Sequence, residues 1–451
     1  MGPEAGIFTA IVAGFVISAL GGSCVQIAGP TAAFATIVAG IVARDGLEGL
    51  MTATILAGVF LIIMGFCHFG SLIKFIPYTI TTGFTSGIAV TIVIGQLKDF
   101  CGITYPDGVK PIETMEKLKA FAENFSTISP DALIVGGVSL AILIVSPLIF
   151  KKIPGSLIAV IAGILMVQFL PLHVSTIGNL YTISNALPTL HLPVFDMKLI
   201  QSAIPNAFTI AVLAAIESLL SCVVADGMIN SKHRSDTELI AQGAGNIASA
   251  LFGGIPATGA IARTAANIKN GGRTPVAGMV HSITLVIVLV VLMPFAGMIP
   301  MPTIAAILFL VAYNMCQWRT FVHLVRTAPK SDIIVLFTTF VLTVVFDLVV
   351  AIEIGMVLAC LLFIKRMSEE THADSWVYVD DDSPAVDEHL QKLPLEIRVY
   401  EITGPLFFGA ADAIEHIVVK DFTKCLVLRM RSVPTIDSTA MNALQNLTKL
   451  C

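Results

Sequence analysis

The sequence predicts an all-α, polytopic membrane protein followed by a small α/β domain, and three observations carry that fold class. Of 451 residues, 56% are hydrophobic and 13% charged, and the mean hydropathy is +0.88; ordinary globular chains carry roughly 25% charged residues. Apolar stretches of the length that crosses a bilayer core as a helix, about 20 residues, recur from the first residues to residue 364. Beyond residue 366 the composition turns acidic and then strand-like.

The apolar stretches fall at 5–22, 48–69, 77–97, 131–150, 154–172, 203–225, 236–252, 275–293, 300–317, 331–346 and 348–364. Two shorter segments, 27–43 and 258–270, are rich in Gly, Ala, Pro and Thr and bring the count to thirteen crossings or partial crossings. Met1-Gly2-Pro3-Glu4 offers no basic region or cleavage site, so the first stretch reads as a span and not as a leader.

With the tail on the cytoplasmic side, twelve basic residues fall in inner loops: Lys74, Lys151, Lys152, Lys232, Arg234, Lys269, Arg273, Arg319, Arg326, Lys330, Lys365 and Arg366. Six fall outside: Arg44, Lys98, Lys110, Lys117, Lys119 and Lys198. That asymmetry matches the positive-inside rule. An odd count of spans puts the N-terminus outside, so a further helix is expected to precede residue 1.

Residues 367–394 read as an acidic linker, with Glu369, Glu370, Asp374, Asp380, Asp381, Asp382, Asp387 and Glu388. Residues 395–402 alternate like a strand, 405–408 continue it, 410–419 suit a helix, 424–430 a second strand and 437–449 a second helix. The plan is therefore a membrane domain over 1–366, a linker over 367–394 and a partial α/β domain over 395–451. Eight cysteines stand singly without a C-x-x-C pair, which argues against a disulfide framework or a zinc site. A net charge of −5 gives no footprint for nucleic acid. No nucleophile–base pair, phosphate loop or metal cluster is visible, so no enzyme and no resident cofactor is predicted.

The two short segments carry the functional signal. The first reads Gly21-Gly22-Ser23-Cys24-Val25-Gln26-Ile27-Ala28-Gly29-Pro30-Thr31-Ala32-Ala33, the second Gly253-Gly254-Ile255-Pro256-Ala257-Thr258-Gly259-Ala260-Ile261-Ala262-Arg263. Each has a Gly-Gly pair, a proline and then small residues leading into a helix. Irregular backbone at membrane depth is tolerated only where it is buried in protein or lines a watery cavity. A half-helix starting there offers free N–H groups and the positive end of its dipole, and two such ends make an anion site without a ligand side chain. The alternative is close helix packing by small residues.

Arg263 inside the second segment needs a partner or a cavity and reads as positive potential beside an anion; snorkelling or pairing with a carboxylate is the alternative. Glu217 stands in an apolar span, in Ala214-Ala215-Ile216-Glu217-Ser218-Leu219-Leu220-Ser221. It is a candidate to carry H⁺ with the anion, or to bind Na⁺ with Ser221 one turn along; a structural hydrogen bond or a pair with Arg263 is the alternative. Asp226 reads as a cap or surface charge, Asp347 and Glu353 as interfacial charges, and His281 as a packing residue.

These residues resemble the SulP (sulfate permease) family. The resemblance rests on Gly21 to Thr31, on Ile216-Glu217-Ser218-Leu219-Leu220 through Ala225-Asp226-Gly227-Met228, and on Glu238 to Ile247. It continues through Gly253-Gly254-Ile255-Pro256-Ala257-Thr258 and Ala262-Arg263-Thr264-Ala265-Ala266-Asn267. It implies a bacterial relative of the animal exchangers that include pendrin and prestin, with two inverted seven-helix repeats, core and gate domains and a dimer. It implies an anion held by Gln26, Thr31 and Ala32 in the first segment and by Gly259, Ala260, Ala262 and Arg263 in the second. Some relatives carry serine where Ala262 stands. Glu217 and Ser221 match the family's coupling acid and its hydroxyl partner. The tail resembles a STAS domain, whose regulatory loop matches Asp437, Ser438 and Thr439, with a helix cap at Asp437 or Ser438 as the alternative. Against the family pattern the first helix and the second half of the STAS domain are missing.

The expected function is inner-membrane, H⁺- or Na⁺-coupled transport of sulfate, bicarbonate or a dicarboxylate by an elevator motion, with the STAS domain in the cytoplasm and open to a regulator. A nucleobase permease of the same fold, or a non-transporting membrane anchor that signals through its STAS module, are the alternatives.

Overall fold

The computed structural model describes residues 2, 4–71, 76–106, 111–149, 153–181, 184–193, 196–346, 348–376, 396–415, 417 and 423–451. Asp347, Lys74, Lys110, Lys151, Lys152 and the acidic run from Asp380 to Glu388 lie outside them. The chain forms two compact units, one of Met1–Ala328 with Ile333–Gly355 and one of Pro329–Asp332 with Met356–Cys451.

Up to Glu369 the described chain is largely helical, and each apolar stretch becomes a helix. In order these are α1 (Glu4–Leu20), α2 (Ala35–Phe66), α3 (Tyr78–Cys101), α5 (Pro130–Ile149), α6 (Gly155–Phe169), α8 (Met197–Ile229) and α9 (Ser235–Leu251). Then come α10 (Ile261–Lys269), α11 (Pro275–Ile287), α13 (Met301–Cys316), α15 (Lys330–Val345) and α16 (Leu348–Glu369). Among the described residues six helices are long and apolar enough to cross a membrane by length and composition, and shorter apolar ones accompany them. α2 merges the short segment 27–43 with the span 48–69. It is broken at Gly46, whose φ of 71° and ψ of −168° are non-helical, a conformation glycine reaches at little cost. α11 runs into a π-helical turn at Val288–Leu292 just before Pro294 in the short α12 (Met293–Ala296), where the proline has no N–H to give.

Three elements were not legible as such. The loop 98–130 contains α4 (Thr114–Glu123), started by a capping box of Glu113 and Glu116. A four-residue helix, α7, forms at Ile177–Leu180. Between α13 and α15 lies α14 (Trp318–Thr327), set off from α13 by Gln317 in the left-handed region, φ 44°.

The heavily packed helix pairs fall into two groups: α1, α2, α8, α9, α10 and α11 in one, and α3, α5, α6, α13 and α14 in the other. Small residues set the closest approach in the first. A Cβ on Gly58 of α2 would meet the Gly243 carbonyl of α9 at 2.6 Å, and one on Gly245 would meet Ile17 of α1 at 2.5 Å. The largest core cluster joins Phe34, Leu50, Leu61, Ile210, Leu213 and Leu239, and Phe84 and Ile88 of α3 reach it from the second group.

The smaller unit contains a three-stranded sheet, β3 (His372–Trp376), β4 (Ile397–Thr403) and β5 (Cys425–Ser432), in the order β3-β4-β5. β4 pairs antiparallel with β3 and parallel with β5. β3 corrects the linker reading: His-Ala-Asp-Ser-Trp has no strand pattern, and pairing with β4 makes it one. The expected continuation at 405–408 does not form. Gly404, at φ 98°, turns the chain, and Leu406 keeps only a single bridge to Ile436. The first helix is α17 (Asp412–Glu415), and α18 (Ser438–Leu450) covers the sheet through Ala440, Ala443 and Leu447.

Candidate functional site

The two interrupted segments meet. Residues Ala28–Gly29 (β1) and Thr258–Gly259 (β2) form an antiparallel pair with Ala28 opposite Gly259 and Gly29 opposite Thr258. The Ala260 amide donates to the Ile27 carbonyl at 2.9 Å, and the Ile27 amide to Thr264 Oγ1 at 3.0 Å. Two irregular stretches thus satisfy each other's backbone, which is what burial requires of them.

Their depth follows from their neighbours. Gly14, in the interior of α1, packs against the Ala28 carbonyl, where a Cβ would stand 3.3 Å away. Ser218, in the interior of α8, hydrogen-bonds Thr258 Oγ1 at 2.8 Å and receives the Gly259 amide at 3.0 Å. The breaks therefore lie against the interiors of α1 and α8, away from the ends of either helix.

From this pair two helices start. One begins as a 3-10 turn at Ala32–Phe34 and continues into α2; the other is α10. Neither has a side-chain cap: Ala260 has no cap to give, and Thr31, an ordinarily good cap residue, spends its hydroxyl on Glu217 Oε2 at 3.0 Å. Among the described residues no acceptor meets the amides of Ala32, Ala33, Ile261, Ala262 and Arg263, so both helix starts keep free N–H groups.

Arg263 donates to the Pro30 carbonyl, bridging the second helix start to the first, and its Nη1 lies against Gly29, where a Cβ would stand 2.5 Å away. Among the described residues it has no carboxylate partner, so it does not pair with Glu217. Glu217 is buried, 6% exposed, and Thr31 is its hydrogen-bond partner. Ser221 turns instead to Thr264 Oγ1 at 3.3 Å. The structure thus joins the acid to the first helix start and the serine to the second.

Of the residues expected at the anion, Ala32 and Ala262 are exposed, and Thr31 and Arg263 are half-buried. Gly259 and Ala260 are buried with their amides already bonded, so their part is to hold the pair. Gln26 is buried and committed at both ends: Nε2 donates to Glu238 Oε1 at 2.9 Å, and Oε1 receives the Cys222 thiol at 2.6 Å. Ile261, whose amide is free, was not singled out by the sequence.

Glu238 was missed as well. It is fully buried in α9 and collects four donors: the Gly22 and Ser23 amides at 2.9 and 3.2 Å, and the Gln26 and Gln242 side chains, both at 2.9 Å. The available signal was an acid beginning an apolar span, Glu238-Leu239-Ile240-Ala241, which has to be paid for by donors. Asp226 caps its turn as read, accepting the His233 amide at 2.9 Å and the His233 ring at 2.7 Å. Glu353 is exposed, and His281 Nε2 is buried without a partner among the described residues. In the smaller unit Asp437 is the N-cap of α18, accepting from the Ala440 and Phe408 amides at 2.8 Å each, while Ser438 and Thr439 are exposed. Among the described residues no group of three or more His, Cys, Asp or Glu could hold a metal ion.

Comparison with known proteins gives the family and the fold. Residues 1–339 match the sulfate permease family and residues 391–451 the STAS domain. The chain is 39% identical over 450 residues to the putative sulfate transporter YvdB of Bacillus subtilis (strain 168), covering 99% of this chain and 83% of that one. It is 33% identical over 463 residues to the bicarbonate transporter BicA of Picosynechococcus sp. (strain ATCC 27264 / PCC 7002 / PR-6), covering 99% and 81%. The solved transmembrane domain of a cyanobacterial BicA superposes with a TM-score of 0.67 at 29% identity, over 79% of this chain and 90% of that one. SLC26A9 superposes at 0.83 over all of this chain and 78% of its own, at 20% identity, and so shows the fold. The chain belongs to the sulfate permease family of membrane anion transporters, and carries a STAS domain behind its membrane helices.

Proposed function

We propose that the chain is a secondary active transporter that holds a small anion, of the sulfate, bicarbonate or dicarboxylate class, between the starts of the 32–45 half-helix and α10. The observation that carries this reading is the β1–β2 pair, which brings two uncapped helix starts and Arg263 together against the interiors of α1 and α8. Ala32, Ala33, Ile261, Ala262 and Arg263 offer N–H groups, and Arg263 adds a full positive charge, a donor set suited to a compact oxyanion.

The coupling ion, H⁺ or Na⁺, acts at Glu217. Its bond to Thr31 ties the acid to the first helix start, so a change in its charge state is felt where the anion sits. Ser221 supports the second start through Thr264. The division of the helices into two packed groups supports an elevator motion of one against the other, along a seam that includes Phe84 and Ile88. The excess of Lys and Arg in alternate loops supports an inner-membrane protein with the STAS domain in the cytoplasm, where the exposed Ser438 and Thr439 offer a regulator its loop. A homodimer completes the reading.

Uptake into proteoliposomes tests it. One of labelled sulfate, bicarbonate and succinate is expected to accumulate above its equilibrium level under an inward Na⁺ or H⁺ gradient. Accumulation of none of them under either gradient would overturn the assignment.

A further inference from the structure

α14 takes no part in the proposed anion and coupling sites. Its apolar residues Trp318, Phe321, Val322, Leu324 and Val325 share one face, and Arg319, His323 and Arg326 share the adjoining one, at spacings of three and four. None of its ten residues is buried. Phe321 is the inward anchor, stacking edge-on against Phe337 and Phe340 of α15 at 5.6 and 5.5 Å.

The outward edge is apolar and then cationic. Trp318 is 46% exposed and Val322 37%, and Phe337 continues the apolar surface at 44%. Arg319 lies over the Trp318 ring at 5.6 Å, and among the described residues neither Arg319 nor Arg326 has a carboxylate partner. A second observation fixes the level of this edge. Trp318 Nε1 donates to the hydroxyl of the exposed Tyr313 at 3.2 Å, across the turn at Gln317 that ends α13. Tyrosine and tryptophan with their polar tips paired and their rings open mark the boundary between acyl chains and headgroups.

We propose that α14 is a docking helix for anionic phospholipid: Trp318 and Val322 enter the acyl region, and Arg319 and Arg326 bind the headgroup phosphate. A planar guanidinium takes two phosphate oxygens at once, and two unpaired guanidinium groups beside one apolar edge match a negatively charged leaflet better than a zwitterionic one.

Tryptophan fluorescence tests the proposal without reference to transport, because the chain has two tryptophans and Trp376→Phe leaves Trp318 as the single reporter. The Trp376→Phe protein is reconstituted in vesicles carrying either brominated phosphatidylglycerol or brominated phosphatidylcholine at the same mole fraction. Quenching titrations are expected to give the anionic lipid an affinity advantage of about fivefold for each arginine. Arg319→Gln with Arg326→Gln is expected to bring the two lipids level while leaving Trp318 quenched by both, which also reports that the helix is still folded at the interface. Equal quenching in the parent protein would overturn the anionic preference. Absence of quenching by either lipid would mean that protein covers this edge, and would overturn the docking role altogether.

Discussion

Arg263 does two jobs with one side chain: it holds the Pro30 carbonyl and places a charge at two helix starts. Hydrogen bonds to charged groups contribute about 1.5–3 kcal/mol, so Arg263→Ala is expected to weaken anion affinity roughly tenfold to a hundredfold. A thermal-shift titration with the transported anion reads this, and the melting temperature without anion is expected to fall by much less than the anion-dependent shift. Glu217 is argued differently. In Glu217→Gln the amide oxygen still accepts from Thr31, so the first helix start keeps its shape while the charge change is lost. Uptake is expected to become independent of the cation gradient with anion binding largely retained; unchanged coupling would remove Glu217 from the mechanism. Both residues stood out in the sequence because ionisable groups are rare within apolar spans. Their partners did not. Thr31 and Glu217 lie 186 positions apart, and Arg263 and Pro30 lie 233 apart, and no local pattern encodes such a pairing.

At the scale of the element, the broken segments were legible because Gly-Gly, Pro and Thr interrupt apolar runs at corresponding places. What was not legible is how they are held. Glu238 on α9 reaches across to Gly22, Ser23 and Gln26, and thereby fixes where β1 meets β2. Removing it leaves four donors unpaired, three of them on buried residues, at about 1–3 kcal/mol for each that finds no water. Glu238→Ala is therefore expected to destabilise the protein by about 3 kcal/mol or more, read as a lowered melting temperature, and to abolish the anion-dependent thermal shift. Glu238→Gln, which keeps one acceptor oxygen, is expected to lose less of both. An intact anion response in the alanine variant would show that β1 needs no such anchor. α14 escaped notice for another reason: over a span-length window Arg319, His323 and Arg326 cancel its apolar residues, although its period of three and four was present. β3 is the reverse case, a strand made by its neighbour and not by its own residues.

For the molecule as a whole, composition settled the membrane class and the small C-terminal unit, whereas the grouping of helices into two packed sets is a property of the folded chain. Every proposed anion contact lies in the larger unit, so damage confined to the smaller one is expected to leave binding intact. Asp437→Ala removes the cap of α18 and the acceptor of the Phe408 amide. It is expected to cost that unit about 1 kcal/mol, read by faster hydrogen exchange in Ile397–Thr403, with anion affinity unchanged within about twofold; a parallel loss of affinity would show that the units share the site. The most direct test of the account uses Ala32 and Ala262, one at each helix start and both exposed. Each is replaced by cysteine in turn, in a protein whose own exposed cysteines are serine, and the rate of thiol labelling is followed as the transported anion is added. The account predicts that both rates fall, with the same half-saturating concentration. Rates that ignore the anion, or that respond at only one of the two positions, would contradict a pocket shared by the two helix starts.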